Sequence, residues 1–277
     1  MRVMSKSYRF IAITNDPVAA KIYDRSGVTH TMVDLESKEK AKRQPEGSWV
    51  SPHELGDIAL VKRALLRSDL IVRVDSPSVR DAEQVHLAIA AGADAVMLPF
   101  FFDLQEVGEF CEQVGDRAKR FLLVETPESA HSLDAILRQN VIDYVHVGLN
   151  DLSLQLGLPF VFQALMVKEV DKVAEACRRH GVPFGVGGVA RVGIFEPSPE
   201  LIAVRHVQLG SGGVILNRSF CQREQESNWE AYGAEFHRAV DELRNTFIKA
   251  EALTMDEMLT RVASLDAVIN DQVKVKG

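Results

Sequence analysis

Cysteine is scarce in this 277-residue chain: Cys111, Cys177 and Cys221 stand far apart, with no C-x-x-C pair. That excludes a disulfide framework and gives no zinc knuckle. Cations are in deficit, 32 Lys and Arg against 39 Asp and Glu, for a formal charge of −7. A general nucleic-acid binder normally carries a basic surface instead. No apolar run approaches the roughly 20 residues that cross a bilayer. The opening "MRVMSKSYRFIAIT" has neither a long apolar h-region nor a cleavage signature. The expectation is a cytoplasmic protein with no nucleic-acid and no membrane partner.

What is present is enough apolar material, 46% of residues, for one substantial core. Short β-rich runs recur at 8–14, 30–35, 69–74, 95–100, 121–126, 144–149, 183–188 and 206–211, with helical segments between most of them. In "DPVAAKIYDRSG", Asp16 is placed as an N-cap, Pro17 at the first helical position and Gly27 past the end. "SPHELGDIALVKRALLRS" puts Leu55, Ile58, Val61 and Leu65 on one broad face. Eight such units predict an α/β fold, a (β/α)8 TIM barrel over 1–221. A doubly wound open sheet is the alternative, but eight units in one chain favour closure. The nearly all-apolar strands fit a sheet covered on both faces.

The pattern changes in 222–277, a helical C-terminal extension. Trp229, Tyr232, Phe236, Val240, Leu243 and Phe247 recur every three or four residues. Thr254 and Glu257 form a capping box for a second helix, with Met258, Val262, Leu265 and Ile269 as its stripe. Such extra helices either close the barrel floor or dock on a neighbouring subunit. An exposed aromatic stripe would be uncommon on a monomer, so a homo-oligomer through these C-terminal helices is expected.

Barrel active sites form at the C-terminal ends of the strands. Those positions hold Asp34 and Glu36, Arg73, Pro99, Glu125, Asn150 and Asp151, Gly187 and Gly188, then Gly210 to Gly213. Internal salt bridging would satisfy such a set, but a hard-metal site is the stronger alternative. Glu125 and Asp151 end adjacent strands, and Mg2+ (or Mn2+) typically takes one or two protein carboxylates, completed by water and substrate oxygens. No histidine or cysteine cluster is expected there, which disfavours zinc. His146, one pleat out of phase with Asp151, is expected to face the helices. A bound divalent ion would accept two oxygens of a 2-oxo acid and stabilise an enolate. Arg73 would add a charge-assisted hydrogen bond, and the amides around Gly148 to Asp151 would hold the free carboxylate. All twelve lysines fall outside the expected strands, so none is well placed for a Schiff base.

"LLVETPES" followed by "VHVGLNDLSLQLG", with "LIVRVDSPS" and "AGADAVMLPFF" upstream, resembles the HpcH/HpaI aldolase and citrate lyase β-subunit superfamily. The resemblance covers strands 2 to 6 well and the whole barrel loosely. It implies a metal-dependent carbon–carbon lyase acting on a 2-oxo acid or an acyl-CoA ester, commonly an oligomer that swaps a C-terminal helix. Carried over residue by residue, it makes Glu125 and Asp151 the metal ligands and Arg73 the contact to pyruvyl or enolate oxygens. Gly148, Asn150, Asp34 and Glu36 then complete the substrate site. The chain departs from the pattern where a Glu-His pair follows strand 2, for Ser37 stands in the place of that histidine. Ala90 replaces the partner aspartate before "GAD", and Phe100 replaces the lysine of the citrate lyase branch.

Two further features bear on substrate. The loop 36–49 carries Lys38, Lys40, Lys42 and Arg43, either a lid drawn to an anionic substrate or a solvated loop. Glycines expected after strands 7 and 8 suit a phosphate-binding isomerase or epimerase, an alternative to the aldolase. An acyl-CoA lyase and a non-catalytic barrel are the other two.

Overall fold

The computed structural model describes residues 8–37, 52–80, 83–221 and 228–276. Nine strands pair in parallel: β1 (Arg9–Ile13), β2 (His30–Asp34), β3 (Asp69–Arg73), β4 (Ala95–Leu98), β5 (Lys119–Val124), β6 (Tyr144–Val147), β7 (Phe184–Val186), β8 (Gly188–Val189) and β9 (Gly213–Leu216). Their spatial order is β7-β6-β5-β4-β3-β2-β1-β9-β8. The two ends of this order are consecutive in the chain. β7 pairs with β6 and β8 with β9, with Gly187 between them. The Gly187 amide donates to Val147 O at 2.7 Å and its carbonyl accepts from Ile215 N at 3.1 Å, so one residue joins both sides of the ring. Its φ is +52°, and a Cβ there would lie 2.4 Å from Leu149 Cδ1. Glycine alone tolerates both.

The helices are α1 (Pro17–Arg25), α2 (Leu55–Ala64), α3 (Gln84–Ala90), α4 (Leu104–Val114), α5 (Pro127–Leu137), α6 (Leu149–Gln155), α7 (Lys168–His180), α8 (Pro199–Leu209), α9 (Arg218–Cys221), α10 (Trp229–Glu251) and α11 (Met255–Lys276). Asp16 caps α1 as expected, accepting from the amides of Val18 and Ala19. This is the α/β barrel with extra C-terminal helices that the strand periodicity predicts.

Alternation divides each strand between two cores. Ile11, Met32, Ile71, Ala95, Met97, Phe121, Leu123 and Tyr144 fill the lumen. Val33, Val72, Val96, Leu122, Val124 and Val145 belong to the larger core outside the barrel wall, shared with the helices.

Two expectations fail. The run 206–211 is no strand: its first residues finish α8, Gly210 caps that helix, and the last strand starts at Gly213. The apolar alternation of "HVQL" was indistinguishable from a helix end packed on two sides. Gly210 to Gly213 therefore lie at the floor of the barrel, at the opposite end from the catalytic rim. Lys119 does lie in a strand, as the first residue of β5, but at the floor, where it pairs with Asp69 at 2.8 Å.

The tail folds onto its own barrel. α10 packs on α1 and α8, and α11 packs on α8 and the 3-10 turn Val161–Met166. Phe236 stacks on Tyr23 with centroids 4.5 Å apart, and Phe247 meets Tyr8 at 4.4 Å. The Tyr23 and Tyr232 hydroxyls are 3.2 Å apart. The Thr254 and Glu257 capping box forms as expected. Within the chain the aromatic stripe is thus covered by α1, α8 and the start of β1.

Phe247 is fully buried between Tyr8, Phe10 and His206. Phe247→Ala should lower the unfolding free energy by about 3–5 kcal/mol, the usual cost of deleting a buried ring. Urea denaturation measures it, and an unchanged midpoint would mean that the tail is not part of the core.

Candidate active site

The rim is assembled from the strand register. Asp34 and Arg73 are direct cross-strand partners at the ends of β2 and β3, both in phase with the lumen residues Met32 and Ile71. Adjacency becomes a forked ion pair: Arg73 Nε donates to Asp34 Oδ1 at 2.8 Å and Nη2 to Oδ2 at 2.7 Å. Nη1 lies 3.5 Å from Glu36 Oε2. Asp34 Oδ1 also accepts from the Glu36 amide at 3.2 Å. All three side chains are buried. Burial opposes the charge on Arg73, but Asp34, Glu36 and, further off, Glu125 outweigh it and hold the guanidinium well above its ordinary pKa.

Glu125 follows β5 in phase with Leu123 and so faces the lumen mouth. A Cβ on Gly148 would come within 2.6 Å of Glu125 Cγ and Oε1, so glycine lets the β6 turn close over this carboxylate. β6 ends at Val147, earlier than expected, and Gly148 caps α6. Asp151 therefore sits in the first helical turn, where a negative charge suits the helix dipole. It is buried, whereas Asn150 is exposed. The Gly148 amide donates to Val124 O at 2.9 Å, so it is not available for a substrate carboxylate as expected.

His146 corrects another expectation. It shares the lumen face with Tyr144, whose hydroxyl lies 3.2 Å from Nδ1, and Nε2 lies 3.0 Å from Gly187 O. A carbonyl only accepts, so Nε2 carries the proton and Nδ1 takes the Tyr144 O–H. The pleat count from Asp151 misplaced it because the strand ends at Val147 and α6 begins at Leu149. Burial pushes its pKa down to about 4, and Arg73 pushes the same way. It is a neutral strut beneath the rim that braces the barrel closure at Gly187.

Sequence reasoning missed two other rim residues. Asp75, buried, accepts from the Ser37 amide at 2.9 Å and from Gln84 Nε2 at 3.2 Å, tying the end of β2 to β3. His53, half-buried, accepts the Asp34 amide proton on Nδ1 at 2.9 Å. No spacing along the chain signalled it. Phe100 stands at the end of β4 with φ +47°, a left-handed conformation that costs a non-glycine residue about 1–2 kcal/mol. Its ring meets Phe102 edge-on at 5.5 Å. The cationic residues Lys38, Lys40, Lys42 and Arg43 lie outside the described residues.

Among the described residues the rim buries five carboxylates, Asp34, Glu36, Asp75, Glu125 and Asp151, with the Arg73 guanidinium among them. Among the described residues no group of three or more His, Cys, Asp or Glu has the arrangement of a protein-only metal cage. A donor set of two carboxylates is nonetheless what Mg2+ or Mn2+ requires when water and substrate fill the remaining positions. Glu125 and Asp151 fit that role, because Asp34 and Glu36 are committed to Arg73. The glycines Gly187 and Gly188 close the barrel, and Gly210 to Gly213 lie on its floor, so neither supports a phosphate site at the rim.

Fold and rim together define a (β/α)8 barrel with an acid-rich, arginine-bearing face at the C-terminal ends of its strands. No family model matches the chain. The 4-hydroxy-4-methyl-2-oxoglutarate aldolase tasA of Hapsidospora irregularis is 29% identical over 87 residues, 31% of this chain and 32% of that protein. The match thus spans about a third of the relative's length. Among solved structures, an HpcH/HpaI aldolase/citrate lyase family protein of Burkholderia cenocepacia superposes with a TM-score of 0.61 at 16% identity, over 87% of this chain and 96% of its own. An HpcH/HpaI aldolase of Desulfitobacterium hafniense gives 0.57 at 16%, over 88% and 95%. The citrate synthase SbnG gives 0.59 at 17%, over 86% and 94%. At these identities the likeness is one of fold.

His146 and His30 make stability depend on acid. Burial lowers both pKa values from 6.5 to about 4, so between those values the unfolded chain binds more protons. Their contribution is full above pH 6.5 and is lost as pH falls toward 4, about 3 kcal/mol each at most. Urea titrations across this window should show the loss. In His146→Gln about half of that slope should vanish, and a slope equal to that of the wild type would refute the assignment.

Proposed function

We propose that this protein is a divalent-metal-dependent carbon–carbon lyase of the HpcH/HpaI aldolase and citrate lyase superfamily, cleaving or forming a 2-oxo acid through a pyruvate enolate. The observation that carries it is the buried rim in which the forked Arg73 guanidinium stands among Asp34, Glu36, Glu125 and Asp151. The activity named for the 29%-identical relative points the same way, as does the fold shared with aldolase-family structures.

Glu125 and Asp151 would hold Mg2+ or Mn2+, which supplies Lewis-acid stabilisation of the enolate when bound. Arg73, locked by Asp34 and near Glu36, donates to the pyruvyl oxygens and strengthens its contact as charge develops on them. Asp34 and Glu36 orient that guanidinium and need not touch substrate. Phe100 puts an apolar ring where the citrate lyase branch carries a lysine, which favours a compact 2-oxo acid over an acyl-CoA ester.

Glu125→Gln and Asp151→Asn should each leave the protein folded and cut metal-dependent pyruvate release at least about a hundredfold, since such stabilisation is worth several kcal/mol. Full activity in a chelated sample would sink the reading. Arg73→Lys keeps the charge but loses the fork, and kcat should fall about a hundredfold. Near-native kinetics in that variant would make Arg73 structural only.

A further inference from the structure

Asp75 and Gln84 meet where the chain leaves β3, and they bond at two points. The Asp75 amide donates to Gln84 Oε1 at 2.9 Å, and Gln84 Nε2 donates to Asp75 Oδ2 at 3.2 Å. A backbone amide can only donate, so the first bond fixes which end of the Gln84 side chain is oxygen. The other end is then an NH2 that needs an acceptor, and the carboxylate supplies it. Gln84 is the first residue of α3, so the start of that helix holds the buried Asp75 side chain.

The other carboxylate oxygen reaches the end of β2. Asp75 Oδ1 accepts from the Ser37 amide at 2.9 Å, next along the chain from the Glu36 amide that Asp34 Oδ1 accepts at 3.2 Å. Two buried carboxylates thus grip consecutive amides, and Glu36 is held on both sides. Its Oε2 lies 3.5 Å from Arg73 Nη1. That is the guanidinium nitrogen Asp34 does not engage, since Asp34 takes Nε and Nη2. A continuous path therefore runs from α3 through Gln84, Asp75, Ser37 and Glu36 to Arg73.

We propose that Asp75 is a positioning residue of the rim that acts through its hydrogen bonds and not through its charge. Held by Gln84, it fixes the backbone at Glu36 and Ser37 and so keeps Glu36 beside Nη1 of Arg73. The proposal rests on the lyase reading above, in which Arg73 meets the pyruvyl oxygens. Loss of such positioning is costly, because a misplacement of about 1 Å caused by a remote change can lower a rate about a hundredfold.

Exchanging the two side-chain types separates geometry from charge. In Asp75→Asn the new NH2 meets the NH2 of Gln84, and turning Gln84 round would set its NH2 against the backbone amide of position 75. One bond is lost either way. Combining Asp75→Asn with Gln84→Glu restores the bonds to Ser37 and between positions 75 and 84, with one donor and acceptor reversed and the charge moved to position 84. The assay is decarboxylation of oxaloacetate with Mg2+, read above the metal-only rate, with thermal melts to establish folding. Loss of CO2 from oxaloacetate leaves the pyruvate enolate without any proton-abstracting base, and the enolate then takes a proton from water. Asp75→Asn should lower kcat at least about tenfold, and the double variant should return to within about threefold of wild type. Equal loss in both folded proteins would assign the role to the charge at position 75 and overturn the proposal. An unchanged kcat in folded Asp75→Asn would leave these bonds to stability alone and overturn it too. Should either variant fail to fold, Gln84→Met decides, since it keeps the carboxylate and removes its holder: a fall of about tenfold supports the proposal, and a wild-type rate overturns it. A wild type that adds nothing to the metal-only rate would instead overturn the lyase reading itself, and this inference with it.

Discussion

The forked pair between Arg73 and Asp34 is the constraint around which the rim is arranged. Desolvating such ions costs several kcal/mol each, while attraction at contact distance recovers about 4 kcal/mol at the effective dielectric of a protein. A pair of this kind is close to neutral for stability. Its contribution is orientation: both nitrogens that face Asp34 are fixed, and register alone brings the partners together. Through the same residue the pair reaches Glu36 by an amide contact and His53 by a backbone bond.

In the lumen below, burial keeps His146 neutral, with the Arg73 charge adding a smaller push, and its two nitrogens are satisfied by Tyr144 and Gly187. The barrel interior thus handles polar groups in two ways. Where a group must be charged it is paired side by side; where it must be buried deep it is neutral and bonded to backbone. Gly187 links the two, since the carbonyl side of this residue closes the ring and also anchors the histidine strut.

Much of this was legible in the sequence. Apolar runs of the right length located strands β1 to β7, and counting to their ends found Asp34, Glu36, Arg73, Glu125 and Asp151. Each of these is a charged residue terminating an apolar run, which is a strong local signal. The failures share a cause: they need three-dimensional phase or partner. His146 was placed on the wrong face because one turn of helix begins two residues after its strand. The run 206–211 has the hydrophobicity of a strand and the geometry of a helix end. His53 lies 16 positions beyond Ser37, and spacing along the chain does not say which residues the fold brings back together. The aromatic stripe of α10 was visible from its period, but no period identifies the surface that covers it.

The two ends of the barrel show which charges are structural. At the floor Lys119 pairs with Asp69 at 2.8 Å, Lys62 with Asp94 at 2.6 Å, and the Arg9 guanidinium lies 5.2 Å from the centre of the Tyr144 ring. These pairs are partly exposed and together near neutrality, as a solvated surface layer permits. Among the described residues the rim instead buries Asp34, Glu36, Asp75, Glu125 and Asp151 around the Arg73 guanidinium. Burying several carboxylates together does little for folding by itself, because each raises the desolvation cost and repels the others. The two ends thus differ in burial: the rim gathers its carboxylates around Arg73 out of solvent, whereas the charges named at the floor pair within reach of water.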